Sequence, residues 1–141
     1  MRIYPLLSLA IVLSLLPVNT VSAQAQRTSY QVFQLDTLTE IELQLFDDYK
    51  VESWAAKNLM TQSTIKLYNG SEGILQHFVD NGRYAVEVDT IGSRLRLVSK
   101  DQERKKIKTK EGECFEVIEL ILYLPEEFEP RSEGLYIKKV D

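Results

Sequence analysis

Apolar and polar residues alternate with a period of two along most of the chain from Tyr30 onward. Alternating segments occupy residues 41–45, 84–89 and 94–97, and a shorter one occupies 64–68. Such alternation is typical of a β-strand with one buried face. Turn-forming Asp-Asp, Asn-Gly and Gly-Ser pairs separate the segments at short intervals. The pattern therefore predicts a mostly β domain.

Residues 115–124 form the most apolar segment of this region. Apolar side chains occupy both sets of alternate positions, which predicts a central strand covered on both faces. Pro125 follows the segment. Because proline lacks the amide donor that a strand ladder needs, we expect the strand to end there.

Residues 71–81 are the one segment with helical spacing. Leu75, Phe78 and Val79 fall at positions i, i+3 and i+4. Ser71 suits the N-cap and Gly82 suits the residue after the helix, so we predict one short helix. Residues 24–29 are polar, and we predict no regular structure for them.

The first 23 residues have the three parts of a secretory signal peptide. Arg2 supplies a positive start, residues 6–16 are almost continuously apolar, and small residues precede both Ala23 and Ala25. We therefore predict cleavage after Ala23 or Ala25 and a periplasmic or extracellular protein. The apolar run is shorter than the about 20 residues that span a bilayer, so we expect the mature protein to be soluble and not membrane-spanning.

The remaining chain is long enough for one hydrophobic core, which we assign to a single domain at residues 30–141. Cys114 is the single cysteine, so no intramolecular disulfide forms. The 141 residues include 17 Lys and Arg against 21 Asp and Glu, a formal net charge of −4. A mildly acidic chain gives no reason to expect nucleic acid as a partner.

The order of these features resembles a known family. A helical turn at residues 71–79 precedes a strand, a Gly-x-x-Leu-x-Leu step starts at Gly92, and the long strand ends in Leu-Pro-Glu at 124–126. Residues 30–128 are similar in this order to the N-terminal part of the auto-transporter adhesin, head-GIN domain family. Two features depart from the family pattern: the charged residues 100–110, and the end of this chain at Asp141, where family members continue into further strands.

The resemblance implies strands stacked as coils of a β-solenoid or arranged in two sheets, and an envelope or adhesive role rather than an enzymatic one. It supplies no catalytic residues. Taken with the periodicity, it leads us to expect one small domain of stacked antiparallel strands, solenoid-like or a two-sheet sandwich, with one short helix. We expect an exported binding or structural, adhesion-like module without a cofactor, with a second copy or an envelope protein as partner.

The alternative function is a small hydrolase that acts on surface polysaccharide. Acidic residues are frequent, and glycoside hydrolysis needs only two carboxylates close together in space. His77 and Cys114 are interpreted as a helix surface residue and a small buried hydrophobic residue rather than as catalytic groups. The last apolar segment, residues 135–137, is a candidate edge strand through which the protein would pair with another chain.

Two sets of residues are candidates for a binding surface. Residues 100–110 hold six basic residues against two acidic ones, and residues 111–133 hold eight acidic residues against one basic. The basic segment either contacts an acidic glycan, lipopolysaccharide phosphate or an acidic partner, or keeps a hairpin tip soluble by its charge. Its candidate residues are Lys105, Lys106, Lys108 and Lys110.

The second set is aromatic. Trp54 and Tyr49, with Tyr68, either form a platform that stacks on sugar rings or belong to the core and its rim.

Overall fold

The computed structural model describes residues 24–141, so the predicted signal peptide lies outside the described residues. This part of the chain folds into eleven strands and one helix. The elements are β1 (Gln24–Phe33), β2 (Glu40–Gln44), β3 (Tyr49–Trp54), β4 (Leu59–Tyr68), α1 (Glu72–Asp80), β5 (Val86–Ile91), β6 (Arg94–Ser99), β7 (Lys108–Thr109), β8 (Gly112–Glu113), β9 (Phe115–Pro125), β10 (Phe128–Ser132) and β11 (Leu135–Lys138).

The strands form two main sheets and one small ribbon. Sheet A has the order β1-β4-β9-β3, sheet B has the order β10-β11-β2-β6-β5, and β7 pairs with β8. Neighbouring strands are antiparallel except for the β2/β6 and β3/β9 pairs, which run parallel. The prediction of a mostly β domain with one short helix is confirmed, in its two-sheet form. The two parallel pairs were not part of the predicted antiparallel arrangement.

The two sheets pack face to face around the larger hydrophobic core. Ile41 and Leu97 of sheet B meet Leu59, Leu122 and Leu124 of sheet A, and all five side chains are buried. Burial alternates along β4 from one residue to the next. The period of two in the sequence therefore marks the inner faces of the sandwich.

Sheet A is longer than sheet B. Strands β1 and β4 have 10 residues each and β9 has 11, whereas β2 has 5 and β6 has 6. The inner face of sheet A that extends past sheet B is covered by α1 and by the segment leading to β7. Here Leu75 of the helix packs with Ile65, Leu67, Ile107 and Cys114 in a second core.

The helix has the predicted ends. The Ser71 hydroxyl accepts a hydrogen bond from the Ile74 amide at 3.2 Å, which satisfies one of the free N–H groups of the first turn. Gly82 follows the helix with a φ of +76°, a conformation that glycine adopts without steric cost.

Strand β1 overturns the expectation that residues 24–29 lack regular structure. They pair with β4 in an unbroken register that begins with Gln24 opposite Tyr68. Only Ala25 of this stretch is buried, in the second core. The prediction was wrong because backbone hydrogen bonds to β4 hold these residues in a strand. Backbone pairing does not require alternating apolar side chains, so the sequence carried no signal for it.

Strand β9 lies between β4 and β3 and ends at Pro125, as predicted. The expectation that both of its faces are covered was wrong. Its outer face is open at one end, where Phe115 is 64% exposed and Val117 is 45% exposed.

The last strand is not an edge, contrary to the prediction for residues 135–137. Strand β11 lies between β10 and β2. The edge of sheet B on that side is β10, which carries Pro130. A proline on an edge strand removes a donor and discourages pairing with another chain.

Cys114 gives a test of the second core. The thiol is buried, it donates a hydrogen bond to the Asn69 carbonyl oxygen at 3.1 Å, and its burial raises its pKa. We expect a maleimide to label native protein only after urea is added, as followed by intact mass. Ser132→Cys, at an exposed position, is the positive control. Labelling of native Cys114 at the rate of that control contradicts the assignment.

Candidate functional site

The outer face of sheet A carries apolar side chains at positions that the core does not use. The strand registers place outward residues in rows across the sheet. One row contains Val32, Met60, Tyr123 and Glu52, and the next contains Tyr30, Gln62, Ile121 and Lys50. Tyr30 is 60% exposed and Val32 is 52% exposed.

Trp54 completes this end of the face. Its indole lies beside the Tyr123 ring, with centroids 5.6 Å apart and planes tilted by 40°. The indole N–H donates to the Asn58 carbonyl oxygen at 2.8 Å, and the Tyr123 hydroxyl donates to the Gln62 side-chain oxygen at 3.3 Å. Both rings are therefore held in place before any partner arrives. We name this surface the aromatic corner; its residues are Tyr30, Val32, Trp54, Met60, Ile121 and Tyr123.

The outer face of sheet B has a different chemistry. Arg94 lies 2.7 Å from a Glu40 carboxylate oxygen and 3.3 Å from one of Glu42, and Arg96 lies 2.5 Å from Asp89. These charges neutralise one another across neighbouring strands. Contiguous exposed apolar surface is a mark of interaction sites, so the aromatic corner is the stronger candidate.

The structure does not bring the predicted aromatic set together. Tyr49 faces the larger core from the inner side of β3, where burial raises its pKa, so it lies on the opposite face from Trp54. Tyr68 is on the outer face, eight residues beyond Met60 on β4. That separation is about 27 Å at a rise of about 3.4 Å per residue.

The predicted basic residues lie at the other end of sheet A. Lys105 and Lys106 precede β7, Lys108 is in β7, and Lys110 is at the turn before β8. All four side chains are exposed. Lys106 Nζ lies 3.1 Å from a Glu113 carboxylate oxygen. We name residues 105–113 the basic hairpin.

A buried ionic cluster holds the loop that leads to this hairpin. The Arg83 side chain is 6% exposed, and two of its nitrogens donate to the Glu116 carboxylate at 2.6 and 3.0 Å. Arg83 also donates to the Lys105 carbonyl oxygen at 2.6 Å. The Tyr84 hydroxyl donates to Glu116 at 2.5 Å, and burial together with this carboxylate raises the pKa of Tyr84.

A second arginine extends the cluster. Arg104 forms an ion pair with Asp47 and donates to the Arg83 carbonyl oxygen at 3.3 Å. Its guanidinium lies 4.8 Å from the centre of the Phe46 ring. The carboxylates here converge on arginines, and this pairing fixes the loop that leads to the basic hairpin.

His77 occupies the helix surface position that its sequence context indicated. His77 is exposed on α1, with its ring nitrogen 3.0 Å from the Asn81 side chain. Among residues 24–141, no group of three or more His, Cys, Asp or Glu is placed to hold a metal ion. In the same part of the chain, no helix has the length and apolar character needed to cross a membrane.

Comparisons with protein-family models, curated proteins and solved structures found no match for this chain.

The sequence did not identify several residues that the structure places in the aromatic corner and in the buried ionic cluster. Tyr30 and Tyr123 were not singled out, although the second apolar face of residues 115–124 was the signal for an exposed apolar surface. Arg83 and Glu116 are separated by 33 positions. No local pattern marks them as partners.

Removing the buried counter-ion gives the second prediction. The Glu116 side chain is 13% exposed, whereas Glu119, on the same strand and paired with Lys66, is 64% exposed. We expect Glu116→Gln to lower the free energy of unfolding by about 3 kcal/mol, because it removes the nearest counter-ion of the buried Arg83 and leaves only the Asp101 carboxylate at 3.9 Å. The control Glu119→Gln should change it by less than about 0.5 kcal/mol. Urea unfolding measures both, and equal effects contradict a buried structural ion pair.

Proposed function

We propose that the protein is an exported binding module of the cell envelope that recognises its partner through the aromatic corner. The observation that carries the proposal is the contrast between the two outer faces. Sheet B presents paired charges with Ile91 exposed at its edge, whereas sheet A presents exposed Tyr30 and Val32 beside the held rings of Trp54 and Tyr123. Tyrosine and tryptophan give large, stiff contact areas at a low cost in conformational entropy.

The chemistry around the aromatic corner favours a glycan as the partner. Gln62 adjoins it with an amide, and Thr28 and Thr64 form a hydroxyl pair 3.0 Å apart one row further on. Lys50 and Glu52 contribute one charge of each sign at the edge. Flat rings bordered by neutral hydrogen-bonding groups match a ligand with many hydroxyl groups and little charge.

Export and an adhesion-like role rest on the N-terminal pattern and on the family resemblance, and both stay predictions. The binding module is favoured over the alternative hydrolase because the carboxylates of Glu116, Glu42 and Asp47 are paired with arginines.

The burial of Ala25 favours one of the two predicted cleavage sites. Ala25 is buried in the second core and lies opposite Leu67 in the β1/β4 ladder. Cleavage after Ala25 would remove this side chain, so we expect cleavage after Ala23. The intact mass of protein recovered from the periplasm or medium should then correspond to a chain that begins at Gln24. A chain that begins at Gln26, or one that retains Met1, contradicts this expectation.

Trp54 is the only tryptophan, so its fluorescence reports on the aromatic corner alone. We expect soluble fragments of envelope polysaccharide to change this fluorescence in a saturable way. The double variant Tyr30→Ala/Tyr123→Ala should weaken binding by about tenfold or more, because interface energy concentrates in buried aromatic anchors.

Ile91→Ala is the matched control, since Ile91 is 55% exposed on the outer face of sheet B. It should leave the affinity unchanged. Equal affinity of the double variant and the original protein contradicts the assignment of this surface.

A further inference from the structure

The basic hairpin and the open end of β9 face the same side of the molecule. Lys108 pairs directly with Glu113 in the β7/β8 ribbon, so both side chains project to one side. Lys106 reaches the same Glu113 carboxylate. Glu113 precedes Phe115 by two positions, and alternate residues of an extended chain share a face. The lysines therefore lie on the side to which Phe115 projects.

The core fixes this orientation. The Cys114 amide donates to the Ile107 carbonyl oxygen at 2.9 Å, and both side chains are buried in the second core. Because neighbouring residues alternate in direction, Lys106 and Lys108 on either side of Ile107 point away from that core. Burial of Ile107 thus forces the positive charges outward.

Exposed apolar side chains adjoin these charges. Phe115 and Val117 are exposed on the outer face of β9, and Tyr68 lies opposite Phe115 in the β4/β9 ladder. We name this surface the amphipathic end; it consists of Lys106, Lys108, Glu113, Tyr68, Phe115 and Val117.

The amphipathic end is formed before any partner binds. The Asn69 side-chain amide donates to the Glu113 carbonyl oxygen at 3.1 Å, and the Cys114 thiol donates back to the Asn69 carbonyl oxygen at 3.1 Å. A Cβ at Gly70 would lie 2.5 Å from a Leu67 methyl carbon and 3.4 Å from the Cys114 sulfur, so glycine leaves room for both side chains beside this link. The hairpin is therefore tied to the end of β4.

We propose that the amphipathic end docks on an anionic lipid surface. Lysines near such a surface are attracted by the phosphates of the headgroups, and exposed aromatic and aliphatic side chains enter the interfacial layer. Residues 105–113 carry four lysines against Glu111 and Glu113, so the hairpin keeps a net charge of +2 although Lys106 is paired with Glu113. Charge complementarity therefore favours an anionic partner. The exposed Phe115 and Val117 identify a lipid surface rather than a soluble polyanion, which would leave both side chains in water.

The path of the chain points to the same end. Gln24 lies opposite Tyr68 in the β1/β4 ladder, so the predicted cleavage site before it, where export leaves the chain at the membrane, adjoins the amphipathic end. This support depends on the proposed export, whereas the placement of lysines beside Phe115 does not. The aromatic corner lies at the opposite end of sheet A. The proposals of glycan binding and of lipid docking can therefore be tested, and contradicted, independently of each other.

The purified exported protein can be tested by sedimentation with vesicles. We expect it to bind vesicles of equal parts phosphatidylglycerol and phosphatidylcholine, and not vesicles of phosphatidylcholine alone. Binding should fall as salt rises, because the Debye length shortens from about 10 Å at 0.1 M to about 3 Å at 1 M. Equal binding to both vesicles, or to neither, overturns the proposal.

Variants test the contributions of the lysines and of Phe115 to vesicle binding separately. Lys106→Glu/Lys108→Glu should weaken binding at least about thirtyfold, since each lysine near an anionic surface contributes about fivefold. Phe115→Ser should weaken it about tenfold. Lys57→Glu/Lys139→Glu makes the same change in net charge at two other exposed lysines and should have little effect.

Two outcomes of these variants overturn the proposal. One is equal loss in the Lys57/Lys139 control, which indicates attraction by net charge alone. The other is unchanged binding of Phe115→Ser together with full competition by dextran sulfate, which indicates a site for soluble polyanions. Circular dichroism of each variant confirms that the fold is retained.

Discussion

The buried ion pair between Arg83 and Glu116 holds the part of the protein that sheet B does not reach. Charges at this depth are tolerated only when they are paired and hydrogen-bonded, so Arg83 can leave water only with β9 in place. Arg83 also binds the carbonyl oxygen of Lys105, which ties in the loop after β6. One side chain thus joins the residues after the helix, the loop and the central strand, and Ile107 and α1 close the second core around them.

The position of the basic residues follows from this constraint. The loop is held at Arg104 and at the Lys105 carbonyl, and Ile107 is buried, so the side chains between and beyond these points face solvent. A segment that is strongly basic in sequence becomes a hairpin with a defined direction. Its lysines are therefore set beside Phe115 by the packing of the second core, and the two ends of sheet A acquire different surfaces.

Local signals explain which parts of the fold the sequence predicted. Alternation marked β2 and β6, an apolar run followed by Pro125 marked β9, and Ser71 and Gly82 marked the ends of α1, because each signal acts within a few residues. The start of β1 depends on its partner strand, which no local pattern records. Tyr49 projects inward only because β3 pairs in parallel with β9, starting opposite Leu120. The candidate site was predicted only in part. The lysines and Trp54 were identified from their immediate sequence context. Their placement at opposite ends of sheet A depends on strand register, which the sequence context does not record.

The requirements of folding do not account for the difference between the two outer faces. Both sheets bury their inner residues in the same core, and surface ion pairs such as those of Arg94 contribute at most about 1 kcal/mol each. Polar residues at the positions of Tyr30 and Phe115 would satisfy the same ladders and reduce the tendency to associate with other chains. The exposed apolar groups of sheet A therefore add a risk of association without serving the core. Under the two proposals made above, partners cover these apolar groups, and the lysines beside Phe115 give the two ends of sheet A ligands of different chemistry.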